Sequence, residues 1–274
     1  MARVALPESR LRARRRKQRI LVGWFAVAGV IVVVGGLIAL TWAPFLRVTG
    51  VDVSGSGAVP VAAISEVALH DLSGTYLHIF PHADILMYPK QAIEGDLLAR
   101  FPTLKTVDVH AENFHTVAVA VTEQVPAALW CGSVVASTSV CSFMNADGLV
   151  YAPTDGAGEG SFQKYYGDLS TSTMPAQYLT PDSMHALSAL VATLGQKLND
   201  TPVVATWVDE NADVHLTFAS GFTLLFADAQ SGGELMDRLN LVLGAAPFSS
   251  HKVGDFEYLD VRFGDKIYYK LKTK

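Results

Sequence analysis

Residues that could carry out catalysis are sparse in this sequence. His78 and His82 lie four residues apart, the spacing that places two imidazoles on one helix face as metal ligands. Pro81 lies between them and disfavours a helix interior, so we do not expect the pair to bind a metal. The zinc-protease pattern HExxH and the hydrolase pattern GxSxG are both absent. These observations disfavour a metalloprotease and a serine hydrolase.

Three neighbouring carboxylates, Asp209, Glu210 and Asp213, are the other group that could act on a substrate. Two such groups at a fixed separation can serve as general acid and general base. Residues 210–213 have the composition of a turn between two strands, where charged side chains are usually solvated. We therefore predict solvated turn residues and no enzyme activity, with an anchored, exported enzyme as the less favoured alternative.

Cys131 and Cys141 are the two cysteines of the chain. The segment between them combines valines with small polar turn residues, and a hairpin there would bring the two sulfurs together. The sequence predicts a structural disulfide, worth about 2–3 kcal/mol for so short a loop, with two free thiols as the alternative. A zinc site is disfavoured because no second cysteine pair exists.

The charge of the chain is divided unevenly along its length. Eight of the 21 Lys and Arg residues lie in positions 1–19, where Glu8 is the one acidic residue. This basic head therefore carries +7, and the net charge of −5 leaves −12 for the rest of the chain. So acidic a body would repel phosphate, which disfavours a nucleic-acid binder.

An apolar stretch follows the basic head. Residues 20–42 contain no charged side chain, and as a helix they would span roughly 35 Å, enough for a hydrocarbon core of about 30 Å. The stretch is too long for a signal peptide and lacks a small-residue cleavage site, so we predict an uncleaved single-pass anchor. The basic head (1–19) should stay cytoplasmic and attract anionic membrane lipid, and the rest should be extracytoplasmic.

The exported part has the pattern of two domains. Residues 45–124 show a strand, two helices and two strands, and residues 125–274 are rich in strands with two helices at 182–198 and 234–243. The expected fold class is α+β: a single transmembrane helix, a small β-α-α-β-β domain, and a mixed β-sheet domain with two helices.

The last two predicted strands, 256–263 and 267–271, form a hairpin whose register can be predicted. A three-residue turn at 264–266 would place all apolar residues on one face and oppose Asp260 to Lys270 on the other. The apolar pairs predicted in this way are Phe263 with Ile267, Val261 with Tyr269, and Leu259 with Leu271.

The order of these elements resembles the FtsQ/DivIB family of bacterial cell-division proteins. The similarity rests on residues 45–55, on Phe101-Pro-Thr-Leu-Lys-Thr-Val-Asp-Val109, on 117–130, and on the Asn145-Ala-Asp-Gly148 turn. It also rests on Phe256-Glu-Tyr-Leu-Asp-Val-Arg-Phe263, which is similar to the family's terminal strand. The resemblance implies that residues 45–124 form a POTRA domain.

The same resemblance implies a function in the divisome. Such a protein is a non-catalytic scaffold at the division septum that binds no cofactor and holds FtsB-like and FtsL-like partners. The POTRA domain would contact other septal membrane proteins. A partner segment would add to the edge of the C-terminal sheet, a recognition mode in which main-chain hydrogen bonds give affinity. The edge is assigned to Lys266–Leu271, with Arg262 and Phe263 nearby. The residues predicted to bind the partner are Arg262, Phe263, Lys266, Ile267, Tyr268, Tyr269 and Lys270.

Two alternatives remain for these features. Lysines such as Lys266 and Lys270 also occur on edge strands simply because they prevent aggregation, and Phe263, Ile267 and Tyr269 are equally suited to a core. POTRA domains also occur in export and envelope-assembly factors that bind extended polypeptides. Such a factor is the second functional hypothesis.

Overall fold

The computed structural model describes residues 8–76, 80–135, 140–156, 159–198, 202–227 and 232–273. The fold class is α+β, with five α-helices and a large mixed sheet among the described residues. The chain divides into two compact units, Met1–Glu123 and Gln124–Lys274. The first seven residues of the basic head and His78 of the predicted metal pair lie outside the described residues.

The first helix, α1 (Glu8–Thr41), contains the apolar stretch of the sequence. Its segment Arg19–Gly36 has a mean hydropathy of 2.1, and none of it is buried against the rest of the protein. Of the helices in the described part of the chain, it is the one long and apolar enough to cross a membrane.

The rest of the first unit follows the predicted order of strand, helix, helix, strand and strand. Its elements are β1 (Gly50–Ser54), α2 (Val61–Leu72), β2 (Thr75–Tyr76), β3 (Phe80–Pro81), α3 (Lys90–Arg100), β4 (Leu104–Ala111) and β5 (Thr116–Glu123). β1, β5 and β4 form a sheet in that order, with β1 parallel to β5. β2 and β3 form a small extra hairpin, missed because two-residue strands have no alternation to detect.

The core of this unit lies between the three-stranded sheet and its two helices. Ile64 of α2 and Ile93 and Leu97 of α3 are fully buried. They face the buried side of β5, where Val117 and Val119 alternate with half-buried residues. The period of two on the strand and of three to four on the helices explains why these elements were predictable.

The loop after β1 is held by one carboxylate. Glu123, the last residue of β5, accepts hydrogen bonds from the backbone N–H groups of Gly57, Ala58 and Val59 at 2.8, 2.9 and 3.1 Å. The N–H of Ala58, followed by those of Gly57 and Val59, lowers the pKa of this carboxyl below its ordinary value of 4.5. The ionised form of Glu123 therefore fastens β1 to β5 beyond the end of their pairing.

Replacing Glu123 by glutamine should lower the free energy of unfolding by about 1 kcal/mol at pH 7, because charge-assisted hydrogen bonds become neutral ones. The folded-state pKa is depressed, so this stabilisation is present above the unfolded pKa and is lost as the pH falls through the folded pKa. Urea unfolding of the full-length protein at pH 7 and pH 3 measures both effects. Glu66→Gln, at an exposed position on α2, is the matched control. If Glu123→Gln lowered the free energy of unfolding by the same amount at both pH values, the prediction would be contradicted.

The second unit is built on a ten-stranded sheet with two helices. Its elements are β6 (Ala128–Trp130), β7 (Ser142–Met144), β8 (Leu149–Pro153), β9 (Lys164–Tyr166), β10 (Ala176–Gln177), α4 (Pro181–Lys197), β11 (Val203–Val208), β12 (Asp213–Phe218), β13 (Thr223–Ala227), α5 (Gly232–Gly244), β14 (Phe256–Phe263) and β15 (Lys266–Leu271). The strand order is β10-β8-β7-β6-β9-β11-β12-β13-β14-β15. The short strands β9 and β10 were not predicted. The mixed character comes from three parallel pairs, β6 with β9, β9 with β11, and β13 with β14.

The main core of this unit lies on the face of the sheet covered by α4 and α5. Leu194 of α4 and Leu235 of α5 pack with Leu216 and Leu224 of the central strands, and all four side chains are buried. The opposite face has a smaller cluster around a disulfide between Cys131 and Cys141. These residues follow β6 and precede β7, whose pairing of Trp130 with Ser142 brings the cysteines together. Residues 136–139 of the intervening segment lie outside the described residues.

Candidate partner-binding edge

β15 is the last strand of the large sheet. Among the described strands it pairs with β14 alone, so one side of its backbone has no strand partner. Every residue of β15 except Ile267 is exposed, and Tyr268 and Tyr269 are 50% and 45% accessible to solvent. The predicted residues Lys266 to Lys270 therefore lie on a free strand edge that bears two aromatic side chains, whereas Arg262 and Phe263 lie on the neighbouring strand β14.

The predicted register of the terminal hairpin is wrong. The turn has two residues, because Phe263 pairs with Lys266, and its Gly264 has the left-handed φ of 58° that suits so tight a turn. Asp260 lies opposite Tyr268 rather than Lys270, and Leu259 lies opposite Tyr269 rather than Leu271. The pairing shifts twice, once between Phe256 and Tyr258 and again between Asp260 and Phe263, and each time β14 has one extra residue.

The second shift changes which side chains are buried. Leu259, Asp260 and Val261 are all buried in succession, which strict alternation forbids. Phe263 was predicted on the apolar face, but it is 53% exposed. Ile267 packs against the main core, and Tyr269 is half exposed while its ring packs edge-on against Phe248.

Arg262 is the centre of a charged cluster beside this edge. Its Nε and Nη2 donate to the two carboxylate oxygens of Asp260 at 2.9 and 2.7 Å, and its Nη1 donates to Asp213 at 2.6 Å. Three of the five guanidinium N–H groups are thereby engaged within the protein. The guanidinium carbon also lies 5.3 Å from the ring centroid of Phe263, a cation–π contact. Arg262 thus positions the neighbouring aromatic ring.

The charges of this cluster are fixed by its hydrogen bonds. Burial raises the pKa of the Asp260 carboxyl, but the hydrogen bonds from Arg262 outweigh burial, and the pKa lies below its usual 3.8. Asp260 and then Asp213 raise the pKa of the guanidinium by accepting its hydrogen bonds. Asp260 and Arg262 are therefore both ionised at neutral pH.

A groove on the solvent face of the sheet adjoins the free edge. Its volume is about 620 Å³, and its lining includes His215, Thr223, Leu225, Tyr258, Phe263 and Tyr268. Phe263 and Tyr268 pack edge to face with ring centroids 5.5 Å apart. Glu257, Asp260 and Arg262 also line it. The groove thus joins aromatic and charged side chains to the backbone of β15, a surface on which an added strand can insert a side chain.

The lysines of the edge differ in their surroundings. Lys270 is paired with Glu257 of β14 at 2.6 Å, with both side chains about half exposed. Lys266 is exposed at the start of β15. A pair as solvated as that of Lys270 contributes little to stability.

Sequence reasoning missed Asp213 and Tyr258 as part of this site. Asp213 was predicted to be a solvated turn residue, but its side chain is 19% exposed and it binds Arg262 across 49 positions of sequence. Pairing of β12 with β13, and of β13 with β14, produces this contact. No signal local to residues 209–213 reveals it.

Asp209 is also less solvated than predicted. It accepts from the N–H groups of Asn211 and Asp213, and its side chain lies 3.2 Å from His215. Burial raises its pKa, but these hydrogen bonds outweigh burial and lower it overall. A carboxyl group held ionised in this way is not a proton donor at neutral pH.

The remaining chemical groups are dispersed in the described part of the chain. No three His, Cys, Asp or Glu side chains there lie close enough together to hold a metal ion. His82 uses Nδ1 to contact the Asp71 carbonyl oxygen at 2.8 Å, and its ring packs at a tilted angle against Tyr76. No protein-family model and no curated protein matches this chain.

Proposed function

We propose that this protein is a membrane-anchored scaffold of the FtsQ/DivIB type, located at the division septum. α1 spans the cytoplasmic membrane with the basic head inside, the rest of the first unit is a POTRA domain, and the second unit holds FtsB-like and FtsL-like partners. The partner adds a strand to β15. The observation that carries this proposal is the free edge of β15 beside an aromatic groove at the end of the ten-stranded sheet.

The charge of the C-terminal segment supports a specific kind of partner strand. Six of the Lys and Arg residues lie between Lys252 and Lys274, against four acidic residues in the same segment. Two N–H groups of Arg262 remain after its contacts with Asp260 and Asp213 are counted. The partner strand is therefore expected to bring carboxylates to this end of the sheet and an apolar side chain to the groove.

The first unit supports the same family. Its strand, helix, helix, strand, strand order and its β1-β5-β4 sheet have the connectivity expected of a POTRA domain. These elements directly follow α1, the helix that is able to cross a membrane.

Replacing Tyr268 by alanine should weaken binding of the extracytoplasmic FtsB-like segment by about 2 kcal/mol, or roughly thirtyfold in Kd. Tyr268 is half exposed and lines the groove, so its loss removes partner contact and leaves the core intact. Isothermal titration calorimetry measures the effect. Val204→Ala, at a 45% exposed position on the interior strand β11, should bind as the wild type does.

Strand addition can be separated from other modes of binding with partner peptides methylated at single backbone amides. Methylation should abolish binding at every second position, because alternate amides face β15. In cells, a fluorescent full-length fusion should localise to the septum, and the fusion lacking residues 256–274 should not. Unchanged affinity of Tyr268→Ala with intact fold would reject β15 as the site. Diffuse membrane signal of the intact fusion, or cross-linking to secreted clients, would reject the divisome scaffold.

A further inference from the structure

One end of the first unit exposes several large apolar side chains. Leu86 is 70% exposed, Phe114 65%, Phe45 57%, Trp42 46% and Met87 45%. Together they come from three separate segments of the chain. We call these five residues the apolar end.

Backbone hydrogen bonds fasten the three segments together. The N–H of Ile85 donates to Leu46 at 2.9 Å, and the N–H of Val48 donates to Ala83 at 2.7 Å. The N–H of Thr49 donates to the His115 carbonyl oxygen at 2.7 Å. The turn with Leu86 and Met87 and the turn with Phe114 therefore both flank residues 44–49.

This end of the unit is the one joined to α1. Helix α1 ends at Thr41, and the five residues from there to Leu46 reach at most about 18 Å even when fully extended. β3 lies within contact distance of α1, which keeps the turn before α3 close to the helix. The apolar end therefore lies within a short distance of the point where α1 would leave a bilayer.

The opposite end of the same sheet lacks such an aromatic surface among its described residues. β1 runs away from the membrane helix for five residues, about 17 Å, to the loop of small residues held by Glu123. Val61, at the start of α2, is exposed there by 51%. The aromatic residues of the apolar end have no counterpart among the described residues of that loop.

The chemistry of the apolar end suits the boundary between lipid and water. Arg47 places its guanidinium 5.6 Å from the ring centroid of Trp42, which leaves a cation beside an indole. Tryptophan is enriched at the headgroup level, and arginine keeps its charge in the polar layer while its stem contacts apolar groups. A second protein would have to share this surface with the bilayer that α1 enters.

We propose that the apolar end rests in the interfacial layer of the bilayer that α1 spans and thereby fixes the orientation of the first unit on the membrane. The occupant is the lipid surface. The proposal rests on the membrane anchor proposed above and is independent of the division partners.

The test uses the full-length protein with single added cysteines, labelled with a nitrobenzoxadiazole fluorophore in phosphatidylcholine vesicles. Cys131 and Cys141 are joined in a disulfide and do not react. In Leu86→Cys and Phe114→Cys, a nitroxide at a shallow acyl position should remove about half or more of the emission, since interfacial groups lie roughly 5–10 Å deep. The matched control Val61→Cys should keep its emission.

A label at Val30→Cys, in the middle of α1, separates the two proposals. If a deep nitroxide does not quench it, α1 does not span the bilayer and the anchor itself is rejected. If it is quenched while labels at positions 86 and 114 behave like the one at 61, the anchor stands and the apolar end is not membrane-bound. If the fluorophore at position 86 is shielded from water only at high protein density, and the lipid nitroxide does not quench it, the surface binds a second copy of the protein. That result would overturn the proposal.

Discussion

Gly55→Ala is expected to lower the free energy of unfolding of the first unit by about 3 kcal/mol or more. Gly55 follows β1 with a φ of +83°, in the left-handed region that costs an alanine energy. A Cβ atom at this position would also lie 2.1 Å from the backbone carbonyl oxygen of Val121. Both effects act together, and the contact alone requires the backbone to move.

The surroundings leave little room for that movement. On one side of β5, Val121 pairs with Val107 of β4. On the other side, Ala120 pairs with Ser54 of β1, the residue immediately before Gly55. Moving the carbonyl oxygen therefore disturbs both neighbours of β5, the central strand. Hydrogen exchange followed by mass spectrometry should show lost amide protection across residues 117–121.

Gly95→Ala is the matched control. Gly95 lies in α3, and a Cβ atom there would meet nothing within 4 Å. Alanine in an exposed helix interior should raise stability by roughly 0.5–1 kcal/mol. Wild-type protection of residues 117–121 in Gly55→Ala would show that the loop after β1 is not held as described.

The helices and most strands were predictable because their signals are local. Pro60 precedes α2 and Pro102 follows α3, and apolar residues between these limits recur at helical spacing. The valines of β5 alternate without interruption, and the structure buries each one. The free edge of β15 also followed from local signals, because a terminal hairpin rich in lysine is typical of an edge.

The geometry of the site was not predictable in the same way. The register prediction assumed strict alternation, whereas two extra residues in β14 allow Asp260 to be buried beside Val261. The contact of Arg262 with Asp213 across the sheet depends on the order of three strands, β12, β13 and β14, that no local pattern determines. Sequence thus indicated which residues form the edge but not which of them position one another.

Arg262→Ala should lower the free energy of unfolding of the second unit by about 2–4 kcal/mol at pH 7. The substitution leaves the Asp260 carboxylate buried without its two guanidinium donors. This figure is below that for a fully buried pair because the Arg262 side chain is 23% exposed and water can enter. Once Arg262 is removed, water reaches Asp213 more easily than Asp260, because the Asp213 side chain is 19% exposed and the Asp260 side chain 9%.

The pH dependence identifies the cause. In the wild type the Asp260 pKa is depressed, so the stabilisation is present above the ordinary value of 3.8 and is lost as the pH falls through the folded value. In the variant the guanidinium hydrogen bonds are lost while the backbone N–H of residue 262 remains as a donor, so the pKa of Asp260 rises relative to the wild type. Acid then protonates Asp260 and relieves the unpaired charge. Urea unfolding should therefore show the two proteins converging as the pH is lowered from 7 to 3.5.

The double variant Arg262→Ala with Asp260→Asn should recover part of the lost stability, because the amide carries no charge to bury. Partner affinity should not recover with it, since the guanidinium that lies against Phe263 is still missing. Lys266→Ala, at an exposed position in β15, is the control that keeps both stability and the Arg262 cluster. Recovery of affinity together with stability would mean that Arg262 only supports the fold. Stability that recovers without affinity would indicate that Arg262 positions the aromatic surface to which we propose that a partner strand binds.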